Sequence, residues 1–305
     1  MIEVVKAGMQ DLVMDLGRPG YRAQGVPEGG AADVEAMILA NRLVGNPDRA
    51  AVLELLLRGP TLRFPGGGRV ALTGAEMQAR CNGKPMPCGR TLEIPPGGEL
   101  EMGQASKGLR GYLAVAGGID SQPVLGSRAT FLPSGFGGWQ GRALRADDRL
   151  PFGVAGGHGK KGVISFAGCK APLRILPGPQ LAGFADAALK ALTADAFNVS
   201  TDVNRLGLRL TGPALGYQGG ALPSQAVLPG AIQVPPDGQP IVLGWDGPVT
   251  GGYPVIAAII AADLSCLAQL RPDNHLRFSF VTLEEAHAAW RKRQQDMDEA
   301  IAWAA

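Results

Sequence analysis

The chain has 305 residues, 46% of them apolar, with 29 Lys plus Arg against 27 Asp plus Glu. That length supports one large domain or two ordinary ones, and the apolar fraction excludes a disordered chain. A net charge of +2 gives no electrostatic reason to expect a nucleic-acid partner.

No stretch reaches the roughly 20 consecutive apolar residues of a membrane span. The opening MIEVVKAGMQDLVMDLGRPG puts acids and glycines where a signal peptide needs a basic and then an apolar segment, so no membrane partner and a cytoplasmic location are expected. Spread between apolar runs, 45 Gly and 24 Pro predict many tight turns joining short strands: a mainly β fold with few helices.

In chain order, the first predicted helix spans 33–44. Val34, Met37, Ile38, Leu39 and Leu43 give it an apolar face, Asp33 is its N-cap candidate, and Gly45-Asn46-Pro47 stops it. Strand-like runs follow at 69–72, 91–94, 99–102 and 109–115. Residues 153–162 (GVAGGHGKKG) lack any apolar period and read as a linker. It would separate an N-terminal domain, 1–153, from a C-terminal one, 163–305.

Beyond it, strands are predicted at 173–176, 206–210, 231–234, 241–243 and 276–281, and a helix at 181–192. Residues 256–270 read as a largely buried helix ended by Arg271-Pro272. Thr282-Leu283-Glu284-Glu285 has capping-box spacing and opens a terminal helix, with Arg291-Lys292-Arg293 on its solvated face.

Several chemistries are disfavoured. Cys81, Cys88, Cys169 and Cys266 form no C-x-x-C pair, so zinc and a disulfide framework are not expected and the thiols read as reduced. Residues 135–141 (GFGGWQG) place Gln140 where a dinucleotide fingerprint needs its third Gly, and 156–162 (GGHGKKG) lack P-loop spacing. No G-x-S-x-G elbow occurs, and His158, His275 and His287 are scattered. What remains are polar residues within Gly/Pro-rich, apolar segments. Asp15, Arg18, Asp33, Asn41, Glu54, Asp120 and Arg128 lie in the first half; Arg205, Gln225, Gln233, Asp237, Asp246, Thr250 and Tyr253 lie in the second. Several have plain structural readings: Asp33 as a helix cap, Asp237-Gly238 as a turn.

Taken together, DLGRPGYRAQGVPEGGAAD, LANRLVGNPDRAAVLELLLRGPTLRF, VALTGAEM, GYLAVAGGIDSQPVLGSRAT, LPGAIQVPPDGQPIVLG and TGGYPVIAAIIAADLSCLAQLRP carry a resemblance across nearly the whole chain. They resemble the family of 5-oxoprolinase C subunits, also called the Kip antagonist or allophanate hydrolase subunit 2 family. They are similar as well to half of the carboxyltransferase domain of urea carboxylase.

The resemblance implies two cyclophilin-like β-barrel units with a few helices and a C-terminal helix. It implies a B-type (Kip inhibitor-like) companion, with an A-type companion joining for ATP-dependent hydrolysis of 5-oxoproline, or a related cyclic amide, to glutamate. The alternatives it carries are transfer of CO2 from carboxybiotin, on a separate carrier, to a urea-like nitrogen, and a non-catalytic regulator of a B-type, Kip inhibitor-like protein. No cofactor is expected on this chain itself, which has no Met-Lys-Met carrier motif.

By the same resemblance Asp15, Arg18, Arg205 and Asp246 are the catalytic candidates. Asp33, Asn41, Gln233, Asp237, Thr250 and Tyr253 are the substrate-binding ones, and no metal ligands are implied. Arg18 and Arg205 would hold a carboxylate or oxyanion, and Asp15 or Asp246 would orient an N–H. The chain departs from the family pattern at Met14 (for Gln), Ala32 (for Met), Asn204 (for Asp), Gln225 (for Glu) and Val249 (for Thr), which marks a divergent member.

Overall fold

The computed structural model describes residues 1–157 and 172–302; residues 158–162 of the expected linker lie outside them. The described residues fall into two compact units. Of the described residues, the first comprises 1–18, 29–157 and 295–302, the second 19–28 and 172–294. The fold is mainly β, with a few helices and a C-terminal one. Among the described residues no helix is long and apolar enough to cross a membrane.

The first unit is built on two antiparallel sheets. One orders its strands Asp11–Met14, Val52–Leu56, Ala105–Val115, Gly68–Met77 and Thr91–Ile94; the other runs Arg149–Leu150, Ile2–Lys6, Thr61–Phe64, Gly98–Glu101, Arg80–Cys81 and Lys84–Pro85. Alternation along the first sheet explains the layering. Val13, Leu53, Leu55, Val70, Leu72, Leu113 and Val115 share a core with Ile2, Val4, Leu62, Phe64 and Leu100 of the other sheet.

The intervening residues Leu12, Met14, Val52, Ala71, Tyr112 and Ala114 face helix α1 (Val34–Val44), meeting Met37, Ala40, Leu43 and Val44. Each large apolar side chain, fully buried, contributes about 1.5–3 kcal/mol over exposure. α1 starts where Asp33 accepts the Ala36 N–H at 2.9 Å and ends at Gly45 with φ 81°.

The second unit is one eight-stranded sheet in the order His275–Leu276, Phe197–Val203, Gly207–Thr211, Ile241–Leu243, Ala231–Gln233, Val255–Ile259, Leu173–Pro177 and Phe278–Phe280. Its two edge strands are separated in sequence by Arg277 alone, so the edges lie side by side and the sheet curls into a barrel. Phe197, Leu210, Ile232, Val242, Ile256 and Phe278 fill it. Gln225–Ala226 and Thr250–Gly251 form a separate two-stranded ribbon.

The terminal helix, α4 (Leu283–Ala302), follows α2 (Asp186–Ala194) and the short α3 (Leu264–Leu267). It opens on the expected capping box: the Thr282 N–H donates to Glu285 Oε2 at 2.8 Å, and the Glu285 N–H to Thr282 Oγ1 at 3.2 Å.

The structure corrects three expectations. Residues 256–270 are no continuous helix: Val255–Ile259 is a strand, followed by a 3-10 turn Ala261–Asp263 and then α3. The strand is covered on both faces, Ile256 by the barrel core and Val255 by Val227 and Leu243. Its apolar run therefore carries no period of two. The expected strand at 276–281 breaks at Arg277, where the chain passes from one edge to the other. Cys81 and Cys88 are free thiols, but Cys266 is disulfide-bonded rather than reduced.

Asp11 gives a pH prediction. Its carboxyl is 1% exposed, accepts the Gly8 N–H at 2.6 Å through Oδ2, and has no partner for Oδ1 among the described residues. Burial pushes its pKa up to about 7 against the Gly8 N–H and Arg58, which pull it down. A pKa raised on folding means stability present below about pH 4 and lost as pH rises through about 7. The difference in urea midpoint between the wild type and Asp11→Asn is expected to move against the wild type across that window. A flat difference would show that Asp11 does not carry the effect.

Candidate functional site

In the first unit, alternation puts Glu54, Thr73 and Tyr112 on the sheet face beneath the start of α1. The Tyr112 hydroxyl donates to Glu54 Oε2 at 2.9 Å and accepts the Asp33 N–H at 2.7 Å. Glu54 Oε2 also accepts the Ala32 N–H at 2.8 Å, while Oε1 lies 3.6 Å from Arg110 Nε, both side chains being buried. Burial, then the charges of Glu54 and Asp33, holds the Tyr112 hydroxyl well above its usual pKa, so it stays a donor. Asp33, at the centre of this network, caps α1 as read from the sequence.

Asp15 is closed in by donors. It accepts from the Gly17 N–H at 2.8 Å, Ser127 Oγ at 2.6 Å and the Arg128 N–H at 2.6 Å. Arg18 is fully buried, donates through Nη2 to the Ala129 carbonyl, and lies 4.8 Å from the Phe136 ring centroid. Asn41 donates to the Ala50 carbonyl at 2.7 Å and the Asp48 carbonyl at 3.3 Å, and accepts from Asn46 at 3.0 Å. The geometry therefore gives Asp15, Arg18 and Asn41 the task of bracing loops 127–130 and 46–50 on the sheet and helix.

In the second unit, Arg205 and Asp246 meet as a buried bidentate pair, Nε to Oδ2 at 2.7 Å and Nη2 to Oδ1 at 3.0 Å. The Asp246 N–H returns to the Arg205 carbonyl at 3.0 Å, tying two strand-end turns together. Asp237 is exposed and accepts the Gln239 N–H at 3.0 Å in a turn, the structural reading its Asp-Gly sequence suggests.

Gln233, Thr250 and Tyr253 come together instead. Ile232 and Val234 belong to the barrel core, while Gln233 lies beneath the ribbon of Thr250–Gly251. A Cβ at Gly251 would fall 2.6 Å from Gln233 Nε2, so the glycine lets the ribbon backbone rest on that amide. Thr250, Gly252 and Tyr253 beside it are exposed.

Two further amides complete the cluster. Gln180 and Gln225 exchange side-chain hydrogen bonds at 3.1 and 3.0 Å, and Gln180 Oε1 also accepts the Val255 N–H at 2.9 Å. Val255 is the register partner of Gln233, and Gln225 that of Gly251. The sequence singled out Gln225 as one of several embedded polar residues and as a departure from the family pattern, and Gln180 not at all. The sole signal for Gln180 is its place after the Gly178-Pro179 turn that ends a strand.

The glycines of 135–141 do not form a phosphate cradle. The Gly135 N–H closes a 3-10 turn on Leu132, the Gly141 N–H bonds the Gly137 carbonyl, and Trp139 bridges Arg142, with no helix start to receive a pyrophosphate. Among the described residues no cluster of His, Cys, Asp and Glu is suited to a metal ion.

This β architecture is that of a carboxyltransferase-type domain. Residues 24–280 match the family model described as carboxyltransferase domain, subdomain A and B, and the chain belongs to that family. It is 41% identical to the 5-oxoprolinase C subunit of Escherichia coli K12, over 99% of this chain and 98% of that protein. It is also 31% identical to a urea amidolyase of Lachancea kluyveri, covering 98% of this chain but 18% of that one. Among solved structures, the Kluyveromyces lactis urea carboxylase superposes with a TM-score of 0.92 at 27% identity, over 98% of this chain and 29% of its own.

Proposed function

We propose that this chain is the C subunit of an ATP-dependent 5-oxoprolinase, opening 5-oxoproline or a related cyclic amide together with B- and A-type companions. The observation that carries this reading is the 41% identity to the E. coli 5-oxoprolinase C subunit, extending over nearly the whole of both chains. In the reaction the lactam C–N bond breaks, water supplies the new carboxyl oxygen and the ring nitrogen leaves as an amine. Such a step needs the lactam edge held in place and its developing oxyanion met by fixed donors away from bulk water.

On this chain, Gln233 is assigned to the amide edge, with Thr250 and Tyr253 lining the approach. In this reading Arg205 and Asp246 fix turns of the unit that holds Gln233, and Asp15 and Arg18 fix loops of the first unit. ATP is assigned to the partner proteins.

The test is direct. The chain is purified with its B- and A-type companions and glutamate release from 5-oxoproline and ATP is measured. ATP-dependent release that requires all three proteins is expected; an assembled complex that leaves the lactam intact would refute the reading.

A second reading draws on the urea carboxylase likeness, with its TM-score of 0.92. Here the chain serves as a carboxyltransferase component, biotin on a separate carrier supplies the carboxyl group, and Gln233 faces a ureido edge. Carboxylation of urea by a carboxylated carrier, without lactam opening, would favour it.

A further inference from the structure

Gln233 is 4% exposed, yet among the described residues its side chain makes one hydrogen bond, from Nε2 to the Tyr253 carbonyl at 3.5 Å. That distance is at the limit of a hydrogen bond. A buried primary amide costs stability unless its donors and acceptor find partners, and this one bond is weak. Next to Gly251, which rests on the amide, the space around Gly252 is open: a Cβ there would meet only the Leu222 carbonyl, at 3.7 Å. Tyr253 stands beside it with 45% of its surface exposed.

From these features we infer that Gln233 is a specificity-determining residue which reads the cis edge of a cyclic amide. A primary amide presents an N–H and a C=O side by side. A lactam ring locks its own N–H and C=O onto one edge, so the two pair through reciprocal hydrogen bonds. An open-chain secondary amide, which is trans, offers only one of these groups at a time, and a carboxylate offers two acceptors and no donor.

The neighbouring Gln180–Gln225 pair already displays the same recognition, with reciprocal bonds of 3.1 and 3.0 Å. In it the Gln225 amide is already engaged by Gln180. Gln180, Gln225, Gln233, Thr250 and Tyr253 carry no formal charge, which suits a neutral amide edge.

The inference deepens the lactam reading above by naming the group that selects the ring. Its test is kept separate from turnover. Binding of 2-pyrrolidone and of N-methyl-2-pyrrolidone to the full chain is compared by ligand-observed saturation-transfer NMR, with 2-imidazolidinone as a cyclic ureide arm. The wild type is expected to bind 2-pyrrolidone at least about tenfold more tightly than its N-methyl analogue, which lacks the N–H. Gln233→Leu should abolish that preference. Gln233→Glu, nearly isosteric, should weaken 2-pyrrolidone by a similar factor because it removes the donor for the ring carbonyl.

Gly251→Ala, which forces the Gln233 amide to shift, should weaken 2-pyrrolidone while leaving the thermal midpoint close to wild type. Equal binding of the two pyrrolidones by the wild type, or an N–H preference that survives in Gln233→Leu, overturns the inference even if the complex makes glutamate. An N–H preference that depends on Gln233 upholds it even if 5-oxoproline is not turned over. Tighter binding of 2-imidazolidinone than of 2-pyrrolidone would also uphold it and assign the edge to a ureide.

Discussion

Asp246→Ala is expected to destabilise the second unit by about 3–5 kcal/mol, the typical cost of breaking a buried ion pair by removing one member. Arg205 and Asp246 are both buried and share two charge-assisted hydrogen bonds of 2.7 and 3.0 Å. Removing the acid takes the carboxylate from a buried guanidinium, whereas removing both charges does not leave that imbalance. Arg205→Met combined with Asp246→Leu should therefore regain most of the loss, because apolar groups of similar volume replace a buried pair at little cost.

Urea denaturation of the two variants and the wild type measures this. Equal destabilisation by the single and double changes would show that the turns, not the pair, set the cost. A stable double variant is useful in turn: if the pair only braces its turns, lactam opening by the complex survives in it. Abolished turnover with an unchanged unfolding midpoint would return Arg205 and Asp246 to the chemistry.

The second large effect is expected at Glu54, which accepts from Tyr112 and the Ala32 N–H and lies 3.6 Å from Arg110. Glu54→Ala leaves a buried cation and two donors without their acceptor, so a loss of about 3–5 kcal/mol is expected. Tyr112→Phe removes one hydroxyl from the same network and should lose about 1–3 kcal/mol. Because the two share a hydrogen bond, the double variant should lose less than the sum of the singles. Strict additivity in a double-mutant cycle, measured by urea unfolding, would contradict a coupled network.

Local signals made part of this fold legible. The α1 helix carried its own cap and stop, Asp33 and Gly45-Asn46-Pro47, and the apolar face that packs on the sheet. The strands Thr91–Ile94 and Ile241–Leu243 coincide with the apolar runs read from the sequence. Val255–Ile259 was misread because covering both faces of a strand erases the alternation that distinguishes it from a helix. The break at Arg277 was hidden because it reflects closure of the barrel, a pairing between distant strands that no local window contains.

The site residues divide in the same way. Polar residues embedded in apolar, glycine-rich sequence stood out, but their partners did not. Asp246 with Arg205, Asp15 with Ser127 and Glu54 with Tyr112 are all paired across long sequence separations. A sequence marks such groups as costly to bury without saying whether their partners lie inside the chain or on a ligand. Gln233 stands apart because its neighbours leave its amide largely unused.

The most telling measurement is the initial rate of glutamate release from 5-oxoproline and ATP by the companion proteins alone, with this chain added, and with its Gln233→Leu variant. Release is expected only when the chain is present, and the variant should raise KM for 5-oxoproline at least about tenfold while the complex still assembles. Release that is indifferent to the chain, or its absence from a fully assembled complex, would contradict a lactam-opening role.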